Sequence, residues 1–376
     1  MTETGNMTSI HHKFMAAAIR IAGYGMNTSQ PNPRVGCVIV KKERIIAEGF
    51  HAVCGGPHAE IEALKIAGAN AHGATAYITL EPCCHSGRTG PCTKALINAG
   101  ISSVVVASLD PNPKVNGAGI AQLRQAGLET LVGVLEEQAR ALNPGFIKRM
   151  ELGLPYIRCK LAMSLDGKTS MASGDSKWIT GPESRADVQR LRARSSAILT
   201  GIDTVLADNP ALTVRSKDLG LASDLPPPKR QPLRAIVDTS LRCDPSLRVL
   251  HEPGHTIIFT CANSPNRFTS LEKQGAEVIK VPKLGQYTSL PAVIDVLTQR
   301  ECNEILVECG PRLAGSVIEQ GLLDELVLYI APKLLGQQTC DLAVLPSLST
   351  LAQAIELNIV DITPISRDVK ITLQPA

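Results

Sequence analysis

The sequence predicts an α/β protein built as two successive layered units. Three observations carry this. Strand-like apolar runs alternate with helical patterns, the alternation stops and restarts once, and 376 residues exceed what one core usually organises. Apolar residues are 44% of the chain and charged residues 19%, which supports real cores and excludes wholesale disorder.

Taken in order, Phe14, Ala17, Ala18 and Ile21 recur at helical spacing and predict a helix from Phe14 to Gly25. Gln30-Pro31-Asn32-Pro33 forces a loop. Val35 to Val40 reads as a buried strand and Ile45 to Gly49 as its partner. Pro57 opens a helix over His58 to Ala67, with proline in its first turn. Thr75 to Leu80 is a strand, Pro91 to Ala99 a short helix and Ser103 to Ala107 another strand, all in a largely parallel sheet. Gly117-Ala118-Gly119 reads as a plain loop.

The pattern then changes. Ala139 to Leu154 is a helix plus connector, and the boundary falls between Asn143 and Pro155, giving units 1–147 and 148–376. A fresh strand begins at Tyr156. Strands follow at Ala197–Leu199, Ala235–Val237, Thr256–Phe259, Glu277–Ile279, Glu304–Val307 and Glu325–Ile330, with helical stretches between several of them. Residues 225–230 form a proline-rich surface loop.

Charge narrows the partners. Lys plus Arg is 38 against 35 for Asp plus Glu, and aromatics are 3% with one tryptophan, Trp178. Neither suits a nucleic-acid or membrane-surface partner. No apolar run reaches the ~18 residues of a membrane helix. Met1 to Lys13 lacks the apolar stretch of a secretory signal, so a cytoplasmic protein is expected. The eleven cysteines are odd in number and scattered, which argues against a disulfide framework. Cys37, Cys54 and the six from Cys159 onward are read as packing residues.

One local constellation differs. Pro57-His58-Ala59-Glu60 is followed by Glu81-Pro82-Cys83 and then by Cys92. One imidazole and two thiolates are donors that zinc prefers, and three protein ligands leave a fourth position for water. The metal would lower the water pKa to ~7, and Glu60 would shuttle protons to a ring nitrogen and a departing amine. Histidine-x-glutamate with proline-cysteine is the signature of zinc nucleobase deaminases. Cys84 is assigned to packing around the site and His85 to substrate contact. The usual closure is Pro-Cys-x-x-Cys, whereas here Cys84 to Pro91 intervene. That insertion is polar, glycine-rich and carries Arg88, so it suits an anionic group such as phosphate.

Asn32-Pro33-Arg34-Val35-Gly36, His58-Ala59-Glu60, Glu81-Pro82-Cys83 and Gly87-Arg88-Thr89-Gly90-Pro91-Cys92 resemble the deaminase half of the bifunctional riboflavin-biosynthesis deaminase/reductase family. The resemblance runs from about Phe14 to Leu373. It implies a cytidine-deaminase-like three-layer α/β/α domain. The implied substrate is 2,5-diamino-6-(5-phosphoribosylamino)pyrimidin-4(3H)-one, losing its 2-amino group. Asn32 would contact the pyrimidine, and Arg88 and Thr89 the phosphate or ribose.

In the second half, Glu308-Cys309-Gly310-Pro311-Arg312-Leu313-Ala314-Gly315-Ser316 follows a strand and opens a helix. Glycines there admit a phosphate to backbone N–H groups and a positive helix end. The segment is neither G-x-G-x-x-G nor a P-loop, so alone it reads equally as an ordinary strand–helix turn. Together with 160–168, 176–180 and 204–215 it resembles the reductase half of the same family, whose fold is similar to dihydrofolate reductase. The resemblance implies NADPH as hydride donor and reduction of a ribosyl chain to ribityl. It places Ala162, Trp178, Thr204, Asp208 and Thr239 (or Ser240) on NADPH, with Gly310, Pro311, Arg312, Leu313, Ala314, Gly315 and Ser316 at the pyrophosphate. Ser176, Arg192, Leu212, Arg215 and Glu308 would bind the sugar phosphate, the two arginines through their forks. Lys160 is either a helper or a structural ion pair to Asp166. Expected partners are small phosphorylated pyrimidines and, by analogy, further copies of the chain.

Overall fold

The computed structural model describes residues 3–85, 90–171, 173, 177–220, 227–228, 230–337 and 339–376. Two compact units result, the first reaching Gly153 and the second beginning at Leu154. The division follows the last helix of the first unit, which runs intact to Leu152 and stops at Gly153 in a left-handed conformation.

The first unit contains α1 (Glu3–Ala22), β1 (Gly36–Lys41), β2 (Arg44–Phe50), α2 (Ala59–Ala67), β3 (Thr75–Ile78), α3 (Cys92–Asn98), β4 (Ser103–Val106), α4 (Ala118–Gln125), β5 (Glu129–Val132), α5 (Glu136–Arg140) and α6 (Pro144–Leu152). Its sheet has the order β2-β1-β3-β4-β5. The expected largely parallel sheet is corrected: β1 runs antiparallel to both β2 and β3, and only β3–β4 and β4–β5 are parallel. The two-residue turn between β1 and β2 dictates the first of these pairings, since so short a link permits only a hairpin.

Side chains alternate across the sheet. Val38, Val40, Tyr77 and Val105 pack with Phe14, Met15 and Ala18 of α1 on one face. Cys37, Ile39, Ile78 and Val106 pack with α2, α3 and α4 on the other. Two glycines set the layer spacing. A Cβ on Gly36 would lie 2.1 Å from the Ala18 carbonyl oxygen, and one on Gly49 would lie 2.4 Å from that of Ala59. Strand and helix backbones therefore nearly touch on both sides of the sheet.

The second unit contains β6 (Tyr156–Ser164), β7 (Lys168–Met171), α7 (Pro182–Arg194), β8 (Ala197–Gly201), α8 (Ile202–Asp208), β9 (Leu233–Val237), α9 (Arg248–His251), β10 (Thr256–Thr260), α10 (Pro265–Glu272), β11 (Ala276–Lys280), β12 (Lys283–Leu284), β13 (Tyr287–Thr288), α11 (Leu290–Gln299), β14 (Glu304–Glu308), α12 (Pro311–Glu319), β15 (Glu325–Ala331), β16 (Thr339–Asp341), β17 (Leu357–Ile365) and β18 (Asp368–Pro375). Nine strands form one sheet in the order β11-β10-β9-β8-β14-β6-β15-β18-β17. Strands β11 to β15 in that order are parallel, and β18 is antiparallel to both β15 and β17. The C-terminal hairpin carries no pattern clean enough to predict, because β17 is exposed along most of its length.

No helix of the described residues is long and apolar enough to cross a membrane. None of the eleven cysteines is in a disulfide.

Candidate functional site

In the first unit the metal-type residues converge at three helix or strand ends. His58 is the N-cap of α2, so its imidazole leaves the helix start while Glu60 lies in the first turn. Pro57 thus precedes the cap rather than entering the first turn. Cys92 is the first residue of α3. Cys83 lies in the loop beyond β3. Their ligand atoms all fall within 4.8 Å of one another. His58 Nδ1 is 3.6 Å from Cys83 Sγ and 3.3 Å from Cys92 Sγ, and the Cys92 N–H points at Cys83 Sγ at 3.4 Å. Donors sharing one tetrahedral zinc stand about 3.5 Å apart, so this N/S/S set fits that ion.

Electrostatics agree. The Cys83 thiol is pulled down to about 4, first by hydrogen bonding from Cys92 and then by His58, against burial. The same contact and burial push Cys92 up, so without a cation the pair holds only one negative charge comfortably. Glu60 is 3% exposed, and burial raises its carboxyl to about 7. Its charge is felt by His58, Cys83 and Cys92.

Asn32, the expected pyrimidine contact, is held from two sides. Its Nδ2 is 3.0 Å from His51 Nε2, and its Oδ1 accepts from the Cys54 thiol at 3.6 Å. His51 Nδ1 donates to the Pro57 carbonyl at 2.9 Å, which fixes Nε2 as the acceptor from Asn32. The His51 ring meets the His58 ring edge-on at 5.4 Å. Sequence reasoning missed His51, and it places Cys54 only in packing. Arg88 and Thr89, expected at the phosphate, lie outside the described residues.

Glu81 also goes beyond its expected part. Sequence reasoning treats it as the flank of Pro82-Cys83. The structure buries it to 3% exposure and has its carboxylate accept three backbone N–H groups, from Asp110, Gly117 and Ile120. The expected loop at 117–119 is corrected accordingly, because Gly117 is the N-cap of α4 and Ala118 and Gly119 are its first turn.

In the second unit the predicted residues gather where β6, β8 and β14 end. Arg192 and Glu308, expected separately at the substrate, form a two-pronged ion pair of 2.6 and 2.9 Å. A third guanidinium nitrogen of Arg192 donates to the Thr213 carbonyl at 3.0 Å. Burial would raise the Glu308 carboxyl, but the Arg192 cation more than offsets it, so the group is lowered and ionised. Lys160 is paired in register with Glu308, and its Nζ lies 5.8 Å from the centre of the Tyr329 ring. Burial lowers its pKa, with Glu308 resisting. The ion pair of Lys160 with Asp166 is corrected: Asp166 instead accepts from Ser164 and from the N–H groups of Leu335 and Gly336.

Among the expected NADPH contacts, the Thr204 hydroxyl accepts the Gly310 N–H at 3.1 Å. Lys177 bridges to Asp208, beside an exposed Trp178 whose indole carries Arg185 stacked at 4.5 Å. Ala162 is half-buried beside Tyr329. The Thr239 hydroxyl is 2.9 Å from that of Thr288. Helix α12 starts at Pro311 with Gly310 as an N-cap that offers no side-chain acceptor. Such a start leaves N–H groups for an anion, which fits a pyrophosphate. Arg312 is exposed and Leu313 and Ser316 are half-buried, whereas Ala314 is in the core. Gly315 answers to packing, since a Cβ there would meet the Val344 carbonyl oxygen at 1.9 Å. Leu212 is 3% exposed in the apolar core with φ +49°, so any substrate contact there is through its main chain. Arg215 is half-exposed and pairs with Asp218. Ser176 lies outside the described residues.

The two sites define a class: a cytidine-deaminase-type zinc domain followed by a nucleotide-dependent reductase domain. Residues 8–108 match the family model of the cytidine and deoxycytidylate deaminase zinc-binding region, and residues 155–371 match the RibD C-terminal domain. RibD from Escherichia coli K12 is 46% identical over 359 residues, covering 95% of this chain and 97% of that protein. A solved Acinetobacter baumannii RibD superposes with a TM-score of 0.89 at 40% identity, covering 98% of this chain and 99% of that one. A Thermotoga maritima diaminohydroxyphosphoribosylaminopyrimidine deaminase/5-amino-6-(5-phosphoribosylamino)uracil reductase gives 0.83 at 33% identity, over 98% of this chain and 100% of that one. The chain belongs to the RibD family, the bifunctional deaminase/reductases of riboflavin biosynthesis.

Proposed function

We propose that this chain catalyses two consecutive steps. The first is hydrolytic loss of the 2-amino group of 2,5-diamino-6-(5-phosphoribosylamino)pyrimidin-4(3H)-one. The second is reduction of the ribosyl chain of 5-amino-6-(5-phosphoribosylamino)uracil to ribityl. The observation that carries the reading is the convergence of His58, Cys83 and Cys92 with a buried carboxyl, Glu60, beside them.

His58, Cys83 and Cys92 would hold a zinc ion, which would supply a Lewis-acidic centre that makes water acidic near neutrality. Glu60 takes a proton from the attacking water, gives it to the adjacent ring nitrogen and then serves the departing amine, so that ammonia leaves as the carbonyl forms. Asn32, oriented by His51 and Cys54, presents its remaining amide hydrogen to the pyrimidine. Arg88 supplies charge for the phosphate.

NADPH supplies a hydride from nicotinamide C4. The start of α12 after Gly310 would hold its pyrophosphate, and Thr204, Asp208 and Trp178 would line the approach. Glu308, kept ionised by Arg192, accepts from a sugar hydroxyl. Lys160 beside it, with its ammonium destabilised by burial, is the group able to donate a proton. Arg215 faces the phosphate, and Arg192 reaches it only with N–H groups not already committed to Glu308 and Thr213.

The exposed edge strand β17 supports self-association: Ile359, Val360 and Ile362 are 61%, 55% and 56% exposed on the outermost strand of the large sheet. Eleven cysteines with no disulfide among them suit the cytoplasm. The test is incubation with the diaminopyrimidinone, following ammonia and then NADPH absorbance. Ammonia without NADPH oxidation would remove the second half of the reading, and neither signal would remove both.

A further inference from the structure

A metal site this compact must fix the loop that carries Cys83, and that loop leaves β3 without secondary structure of its own. Downstream it is tied to the start of α3: the Cys83 carbonyl accepts the Thr93 N–H at 3.2 Å and the Thr93 hydroxyl at 3.4 Å, and Cys83 Sγ accepts the Cys92 N–H at 3.4 Å. Upstream the tie is Glu81. Its N–H donates to the Ser108 carbonyl at 2.9 Å. Its Oε2 accepts from Asp110 N at 3.2 Å and Gly117 N at 2.8 Å, and its Oε1 accepts from Ile120 N at 3.1 Å. Gly117 and Ile120 are the N-cap and third residue of α4, a helix whose own N-cap has no side chain to offer. A residue remote in sequence thus caps α4, and its negative charge faces the positive helix end.

The fit is close on the other side as well. Gly119 packs so tightly that a Cβ there would lie 2.2 Å from the Pro82 carbonyl oxygen and 3.1 Å from Glu81 Oε1. Pro82 is the residue immediately before Cys83, so α4 touches the ligand loop directly.

We propose that Glu81 is a positioning residue for the metal site, setting Cys83 by locking the Glu81-Pro82-Cys83 segment onto the start of α4, with Gly119 as the matching surface. A carboxylate is required because three donors meet two oxygens. An amide would turn an NH2 group towards backbone N–H. The inference rests on the zinc reading of His58, Cys83 and Cys92.

The test uses the full chain as wild type, Glu81→Gln and Gly119→Ala. Zinc affinity is measured by chelator competition, the ligand-field spectrum is recorded with cobalt(II) at saturation, and NADPH oxidation with pre-deaminated substrate reports folding of the rest of the chain. Both variants are expected to bind zinc about 10–100-fold more weakly. Both should keep an altered cobalt spectrum when saturated, with NADPH oxidation unchanged. A role confined to general stability would give the wild-type spectrum once metal saturates. Gly119→Ala decides the matter if Glu81→Gln does not fold, because alanine in a helix ordinarily stabilises it. Wild-type zinc affinity and spectrum in Gly119→Ala would overturn the proposal whatever Glu81→Gln does. A wild type that binds no zinc would instead overturn the reading beneath it.

Discussion

The two candidate sites are built on opposite plans. In the first unit three ligand atoms meet at the starts of α2 and α3 and one short loop, and this donor set is in place before any ligand arrives. In the second unit the chemical groups are mostly occupied with one another: Arg192 with Glu308 and Thr213, Thr204 with Gly310, Thr239 with Thr288. Coordination demands donors at fixed short distances, so its geometry must be prebuilt. A dinucleotide is gripped by main chain, helix ends and shape, so its residues serve packing at the same time.

The sharpest way to break this comparison is at Glu60. Glu60→Gln should cut ammonia release ~10²–10⁴-fold while leaving NADPH oxidation with pre-deaminated substrate intact. Loss of both activities would mean that the two sites are not separable. Metal analysis should find about one zinc per chain. Stripping it with a chelator should stop ammonia release, spare the reductase, and be reversed by added zinc.

The second site should respond differently. Arg192→Ala takes from buried Glu308 its hydrogen-bonded cation and leaves only Lys160 nearby, so the second unit should lose up to about 3–5 kcal/mol of stability together with reductase activity. Arg215→Ala, at a half-exposed side chain, should raise KM for the phosphorylated substrate with kcat nearly kept. Equal effects from the two arginines would contradict the separate parts given to them. A smaller effect is expected with pH. Burial works against the Glu308 carboxylate, but Arg192 wins and lowers its pKa below the unfolded ~4.3. The stability it contributes is therefore present above ~4.3 and lost as pH falls through the lower folded value. Urea midpoints between pH 6 and pH 3 should fall less steeply in Glu308→Gln.

Residue types made the first site legible. His58, Glu60, Cys83 and Cys92 have few reasons to stand at those spacings except a metal and a proton carrier, and the structure brings the three donors His58, Cys83 and Cys92 together. His51 and Glu81 were not legible as working parts, because their value lies in which backbone groups they reach after folding. Strand positions followed from apolar runs such as Val35–Val40 and Glu304–Val307, which gave β1 and β14. Helix α4 escaped because its cap comes from Glu81 rather than from a neighbour in sequence. Gly315 looked like a phosphate glycine, yet its missing side chain makes room for the Val344 carbonyl. A glycine at a strand–helix turn does not say whether a ligand or a loop fills the gap.

Gly49 carries no reactive group, faces no substrate and lies on a strand remote in sequence from both cysteines. Yet the helix resting on it, whose Ala59 carbonyl oxygen would lie 2.4 Å from a Cβ at this position, is the one that presents His58 and Glu60. Adding a single methyl group there would lever that helix outward and shift the imidazole and carboxyl together. An observer of the resulting mutant would record a dead enzyme and suspect chemistry, when the fault is one of clearance in the scaffold.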